Sequence, residues 1–441
     1  MPTAPVGRGI SAAFRLVGLA VCLTLPWTAN VSADEEPAPA DPNDAQAVSA
    51  EAAPKAPPPR RWNAFESRWI NGLLFGGMAL DTVRYAQNPA SQRQLGDLTE
   101  YEVPVIRVMR LGLAGTFNFK RPWRWYVSGA YRGFDQGFDR SEDDAWSLFD
   151  LWVEAPLGSI GWLTVGKFKE PLSMERLMGG GFMPGIERAM GTDALTPSRN
   201  VGVQLGNHFA NARMTWTAGV FNDWAFTGES FDRAASQVIG RVTGLPMNSP
   251  DGPGLLHLGV SGRYSDVKPG VLRFKTTPEV FSFPTVLDTG EFPARSMTHG
   301  LFEAYYQKGP LWLGGEYLVT RVDSPEYGDP VFRSTWVQAS WILNGDSRPY
   351  SPKRGVFGVL SPKRSVSNGG RGLFEVGVRY SALDLEDGAV RGGEASRLTG
   401  VFNWYLTGRS LLAFNYGLIR LDVDNEESYT QAFQLRLFLL F

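Results

Sequence analysis

Basic side chains recur in this chain one position off a run of apolar ones. Met109, Leu111 and Leu113 share one parity and leave Arg110 on the other. Likewise Trp125 and Val127 leave Arg124 and Arg132, and Met214, Trp216 and Ala218 leave Arg213. Leu256, Leu258 and Val260 leave His257 and Arg263; Phe374, Val376 and Val378 leave Glu375 and Arg379. Leu398 and Phe402 leave Arg397, the apolar parity of the last segment leaves Arg436, and Arg241 falls in a less regular run. Lys167 and Lys169 have the parity opposite to Trp162 and Phe168, which places them with the arginines. Successive side chains of a strand point to opposite faces, so these groups gather on one surface. The acids of that surface are Asp150, Glu154, Glu303, Glu316 and Glu375, which leaves nine Arg and two Lys against five carboxylates. A guanidinium keeps its charge and donates two parallel hydrogen bonds to a phosphate or carboxylate. The chemistry on offer is therefore attraction of anions, not bond making. A second cluster is nearly neutral: Lys167, Lys169, Arg176, Arg188 and Arg199 are interleaved with Glu170, Glu175, Glu187 and Asp193. The plainer reading of both clusters is that they solvate a wet surface and pair with one another.

Other chemistries lack their residues. There are three histidines, His208, His257 and His299, and none stands beside a Ser or Asp signature of nucleophilic catalysis. Their scatter gives no metal-ligand spacing, and no cofactor motif is present. The single cysteine, Cys22, lies in an apolar leader, so the chain beyond it offers no disulfide or thiol. With 43 Lys and Arg against 45 Asp and Glu, no basic excess points to nucleic acid.

The elements that must carry the arginines have period two. Sixteen strands are expected, centred near Phe75, Leu113, Val127, Leu151, Val165, Val203, Trp216, Ile239, Val260, Ala304, Gly315, Val337, Val378, Phe402, Phe414 and Leu437. Their connections alternate long and short. Thr82–Glu102, Glu170–Arg199 and Asp266–Met297 are long; Lys120–Pro122, Leu157–Ser159, Ala210–Asn211, Lys308–Pro310 and Thr407–Arg409 are tight. One segment on the short side, Asn344–Arg371, is long. The last strand has one apolar face, Phe433, Leu435, Leu437, Leu439 and Phe441. Such alternation with asymmetric connections is the signature of a transmembrane antiparallel β-barrel. No apolar run after residue 33 is long enough for a spanning helix. A closed barrel crosses a bilayer without one, because closure satisfies every backbone group. Its mid-strand arginines face the lumen, since each would cost about 2–4 kcal/mol in lipid at the bilayer midplane.

Residues 1–33 read as a signal peptide. Arg8 and Arg15 precede the apolar run Leu16–Leu25, and Val31-Ser32-Ala33 sets cleavage after Ala33. Residues 34–61 are rich in Pro and Ala and read as a disordered linker. Residues 62–441 form the barrel.

Several stretches resemble the phosphate-selective porin O and P family. They are Gly166–Glu175, Glu187–Ala189, Pro197–Gln204, Gly219–Asp223, Trp336–Trp341, Gly345–Tyr350, Phe374–Leu385 and Asn403–Leu406, in this order. The resemblance implies a sixteen-stranded, usually trimeric barrel in the outer membrane of a Gram-negative bacterium. It implies a third external loop, here about Glu170–Arg199, folded inward as a constriction. It also implies a long periplasmic connection bearing Arg348-Pro349-Tyr350, which accounts for Asn344–Arg371. Passive diffusion of small anions follows, with phosphate or polyphosphate among them and outer-membrane lipid around the barrel. A general pore of little selectivity, a plugged structural or adhesive barrel, an outer-membrane enzyme and a soluble secreted β protein are the other readings.

Overall fold

The alternation from Trp62 onward becomes a ring of antiparallel strands. The computed structural model describes residues 62–441, apart from 132–145, 182, 224–234, 250, 251, 253, 269, 345, 424 and 425. The signal peptide, the linker and Arg132 lie outside the described residues. The sixteen strands are β1 (Ile70–Gln87), β2 (Val105–Phe117), β3 (Trp123–Tyr131), β4 (Trp146–Pro156), β5 (Trp162–Lys169), β6 (Arg199–Phe209), β7 (Met214–Asn222) and β8 (Ser236–Ser249). The second half comprises β9 (Gly254–Asp266), β10 (Ser296–Lys308), β11 (Leu311–Asp323), β12 (Val331–Ile342), β13 (Leu373–Asp387), β14 (Val390–Thr407), β15 (Ser410–Val423) and β16 (Glu426–Leu440). Each pairs antiparallel with the next, and β16 returns to β1 through Gly77↔Leu440 to Gln87↔Thr430. Closure removes the open edges. A short strand, Ala64–Glu66, pairs with the start of β1. Every expected strand centre falls inside one of these strands.

Burial follows the pleat. Val165, Val220, Val260, Val337, Val378 and Leu398 point outward and are exposed, whereas Thr164, His257, Gln338, Arg379, Arg397 and Arg436 point inward and are buried. An apolar exterior around a polar interior is the inverse of a soluble barrel and suits a hydrocarbon surround. Among the described residues no helix is long and apolar enough to cross a membrane.

One end carries tight turns. In the turn after β6, Ala210, Asn211 and Ala212 all have positive φ, between 52° and 59°. At the same end lies the long connection 343–372 between β12 and β13. The opposite end carries 88–104, 170–198 and 267–295, while the turn at Gly388-Ala389 is short.

Alternation fails on β5. Trp162 and Phe168 do not face outward; both are buried, as are Lys167 and Lys169. Val165 is exposed, and Gly166, at φ +133°, breaks the alternation that follows it. A Cβ at Gly166 would lie 2.0 Å from the Leu151 carbonyl oxygen, so this irregularity requires glycine.

Candidate functional site: the charged lumen

Two β-bulges decide which charges reach the interior. On β2, Leu80 pairs with Ile106 and Ala79 with Val108, leaving Arg107 as the extra residue. On β4, Ser128 pairs with Asp150 and Gly129 with Leu148, leaving Phe149. A bulge turns two successive side chains to one face. Asp150, fully buried, accepts from Arg199 Nε at 2.7 Å and from Arg110. The guanidinium carbons of Arg199 and Arg110 lie 3.8 and 4.7 Å from the centre of the Phe149 ring. The ring face and the carboxylate hold both cations in one place.

Segment 170–198 makes its contacts with inward-facing side chains of the wall. At its start the short helix Met174–Leu177 meets two carboxylates: Met174 N–H donates to Glu303 at 2.9 Å and Glu175 N–H to Glu316 at 2.8 Å. Glu303 and Glu316 are opposite partners on β10 and β11. Negative charge at a helix start is favourable. Ser173 Oγ donates to Glu316 at 2.6 Å and accepts from Arg176 N–H at 3.0 Å. Arg263 Nε donates to Glu170 at 2.8 Å, and Arg241 Nε to Glu303 at 3.0 Å. Farther along, Glu187 accepts from Arg107 at 2.8 and 3.0 Å and from Arg436 at 2.6 Å. Burial alone would raise the Glu187 carboxyl, but Arg107 and Arg436 outweigh it and hold it at about 2. Asn403 Nδ2 donates to the Pro184 carbonyl at 2.9 Å, and Arg379 to that of Glu187 at 2.9 Å. The segment thus touches β9, β10 and β11 at one end and β2, β13, β14 and β16 at the other.

Two further connections contact the interior, which the sequence did not announce. In 267–295, Glu279 sits at φ +59° and accepts from Arg379 and Ser381. Its carbonyl accepts from Arg397 at 2.7 Å and Gln434 at 3.0 Å, and Phe281 lies 4.2 Å beneath the Arg107 guanidinium. From the other end, Arg354 of 343–372 donates to Glu154 at 2.6 and 3.1 Å and covers the Trp162 ring at 3.8 Å. The Arg348-Pro349-Tyr350 motif acts here: Arg348 donates to Glu375 at 2.7 Å, and Tyr350 Oη meets His257 Nδ1 at 2.7 Å.

The candidate cations fall into three groups. Arg110, Arg124, Arg199, Arg241, Arg263, Arg379 and Arg436 line the wall and contact carboxylates. Lys167, Lys169, Arg176 and Arg188 are buried and donate to backbone carbonyls; Lys169 Nζ reaches Met178 O at 3.0 Å, and Arg188 reaches Met178 and Glu175 O at 3.3 Å each. Arg213 departs from the expectation: it is exposed in the turn before β7, because the left-handed run Ala210–Ala212 ends the pleat before parity applies. Arg107, Glu279, Arg348 and Arg354 also belong to the lumen, and parity alone could not find them. Arg107 sits on a bulge and the others on connections; only the motif at Arg348 marked one of them.

Between the wall and Gly180-Gly181 lies a cavity of about 70 Å³. Arg110, Lys169, Arg188 and Arg199 all line it, and no carboxylate does. Asp150, just outside this lining, meets two of the four cations, so the space keeps a net positive balance, which low-dielectric walls concentrate.

Comparison with known proteins agrees with this architecture. The family model of the phosphate-selective porins O and P matches residues 76–441. An uncharacterized protein of Caulobacter vibrioides is 28% identical over 302 residues, which make up 66% of this chain and 60% of that one. The chain thus spans about 60% of the length of the curated relative it matches. Among solved structures, an anion-selective porin from Comamonas acidovorans has TM-score 0.51 at 15% identity, covering 84% of this chain and 100% of that one. OmpT, an outer membrane protein of Vibrio cholerae, has TM-score 0.51 at 11% identity, covering 86% and 99%. At such identities these two share the fold. The barrel, its charged interior and the match along nearly all of it lead to one conclusion: the chain belongs to the phosphate-selective porin O and P family.

Proposed function

We propose that this porin passes small anions by passive diffusion, with segment 170–198 folded inward as the constriction. The carrying observation is the cavity lined by Arg110, Lys169, Arg188 and Arg199 without a carboxylate. The balance of buried charge supports it: among the described residues, twelve Arg and Lys are buried against eight Asp and Glu. Segment 170–198 itself carries Glu170, Glu175, Glu187 and Asp193 against Arg176 and Arg188; the excess comes from the wall. Phosphate is the solute that the family description suggests. Cleavage after Ala33, a linker over 34–61 and assembly as a homotrimer belong to the same reading.

The test is a planar bilayer holding the purified protein across a KCl gradient. A reversal potential on the chloride side is expected. A reversal near zero would mean that the acids cancel the arginines and that the pore is a general one. Three connections contact the interior, which favours a plugged structural barrel as the second reading. That reading requires no conductance at all in the same bilayer.

A further inference from the structure

The walls of the four-cation cavity are not those of a phosphate site. Besides the bases, the lining consists of Phe75, Phe149, Phe438, Val108 and Leu440 with four glycines, Gly76, Gly77, Gly180 and Gly181. The loop backbone is seated directly on one of these rings: a Cβ at Gly181 would fall 2.1 Å from Phe438. Phosphate carries oxygen on every side, and an oxygen turned to a phenyl ring loses its water without gaining a donor. A carboxylate carries oxygen on one side only. Its two oxygens match a guanidinium fork, and its hydrocarbon body matches the rings. Apolar walls with a few convergent polar groups are the usual make-up of a site for an organic solute.

We propose that this cavity takes a short-chain monocarboxylate in preference to phosphate; the proposal rests on the anion-pore reading above. Size sets the chain length. A space of about 70 Å³ is several times the about 10–15 Å³ that admits one water, which is room for a carboxyl group and a short alkyl chain. Arg110 and Arg199, already gathered at Phe149 and Asp150, lie beside the phenyl rings, so one solute meets cation and ring together.

The experiment is block of the chloride current by acetate, propionate, butyrate and phosphate at pH 7.5, on the full barrel in a planar bilayer. The half-blocking concentration is expected to fall about fourfold per added methylene, the gain from burying one CH₂, with butyrate acting below phosphate. Phe149→Ala and Phe438→Ala are each expected to flatten that series. If either variant does not fold, the wild-type series still decides. A flat wild-type series, or phosphate blocking below butyrate, overturns the proposal. The KCl reversal potential, read in the same bilayer, separates the two claims. Anion preference with a flat series leaves the pore reading standing and removes only this one. Absence of anion preference removes both.

Discussion

Arg107 and Arg110 stand three positions apart on one strand, and both point into the lumen. Regular alternation would set them on opposite faces. The extra residue at Arg107, between the pairs Ala79↔Val108 and Leu80↔Ile106, reverses the parity. Arg107 thereby reaches Glu187, and Arg110 reaches Asp150 and Phe149. One bulge connects the wall both to segment 170–198 and to the four-cation cavity.

Removing Arg107 strands part of a buried carboxylate. Arg107→Met is expected to destabilise the barrel by about 1–3 kcal/mol, the cost of leaving a buried polar group without its partner. Adding Glu187→Gln to that variant is expected to recover part of the loss. The midpoint of heat-induced unfolding, read from electrophoretic mobility in detergent, measures both. A double variant that loses the sum of the Arg107→Met and Glu187→Gln losses would show that the pair is not coupled.

Acid should release the same contact in a defined window. The folded carboxyl of Glu187 titrates at about 2, below its ordinary value of 4.5. A depressed carboxyl stabilises fully above the unfolded value, and the gain fades as pH falls toward the folded one. The stability gap between wild type and Glu187→Gln is therefore expected to be constant from pH 8 to about 5 and to shrink between about 4.5 and 2. Unfolding midpoints across that range test it; a gap that closes already at pH 6 contradicts the assignment.

Glu279 holds segment 267–295 to the wall through Arg379 and Ser381, at a positive φ that a non-glycine residue seldom adopts. Glu279→Ala removes an acid and loosens that hold. Higher single-channel conductance and a reversal potential further to the chloride side are expected. Unchanged values of both would place this segment off the permeation path.

Gly166 tests the break in alternation on β5. Gly166→Ala meets a left-handed backbone and the Leu151 carbonyl at once. A loss of at least about 1–3 kcal/mol is expected, the usual cost of such a conformation. The fraction of barrel that resists unfolding in detergent at moderate temperature is the readout. A wild-type fraction would mean that the strand takes another path.

Much of the architecture is already local in the chain. Sixteen strands, their tight turns, the outward Val and Leu, and the inward Arg379 and Arg436 all follow from a period of two. Each such choice depends on one residue and its neighbours two positions away. The interior arrangement is not local. Bulges at Arg107 and Phe149 insert one residue into the count, and nothing in the surrounding types announces them. Arg213 obeyed the parity and still lies outside, because its turn ends the strand first. Glu279, Arg348 and Arg354 stand on connections, where no periodicity speaks for direction. The pairing of Arg107 with Glu187, 80 positions away, or of Arg354 with Glu154, 200 positions away, exists only once the ring closes. The sequence by itself determined a closed barrel with basic side chains inside. Only tertiary structure decided which carboxylate or carbonyl each base meets and which four gather around one cavity, because a field inside a closed wall depends on distances across it and not on order along the chain.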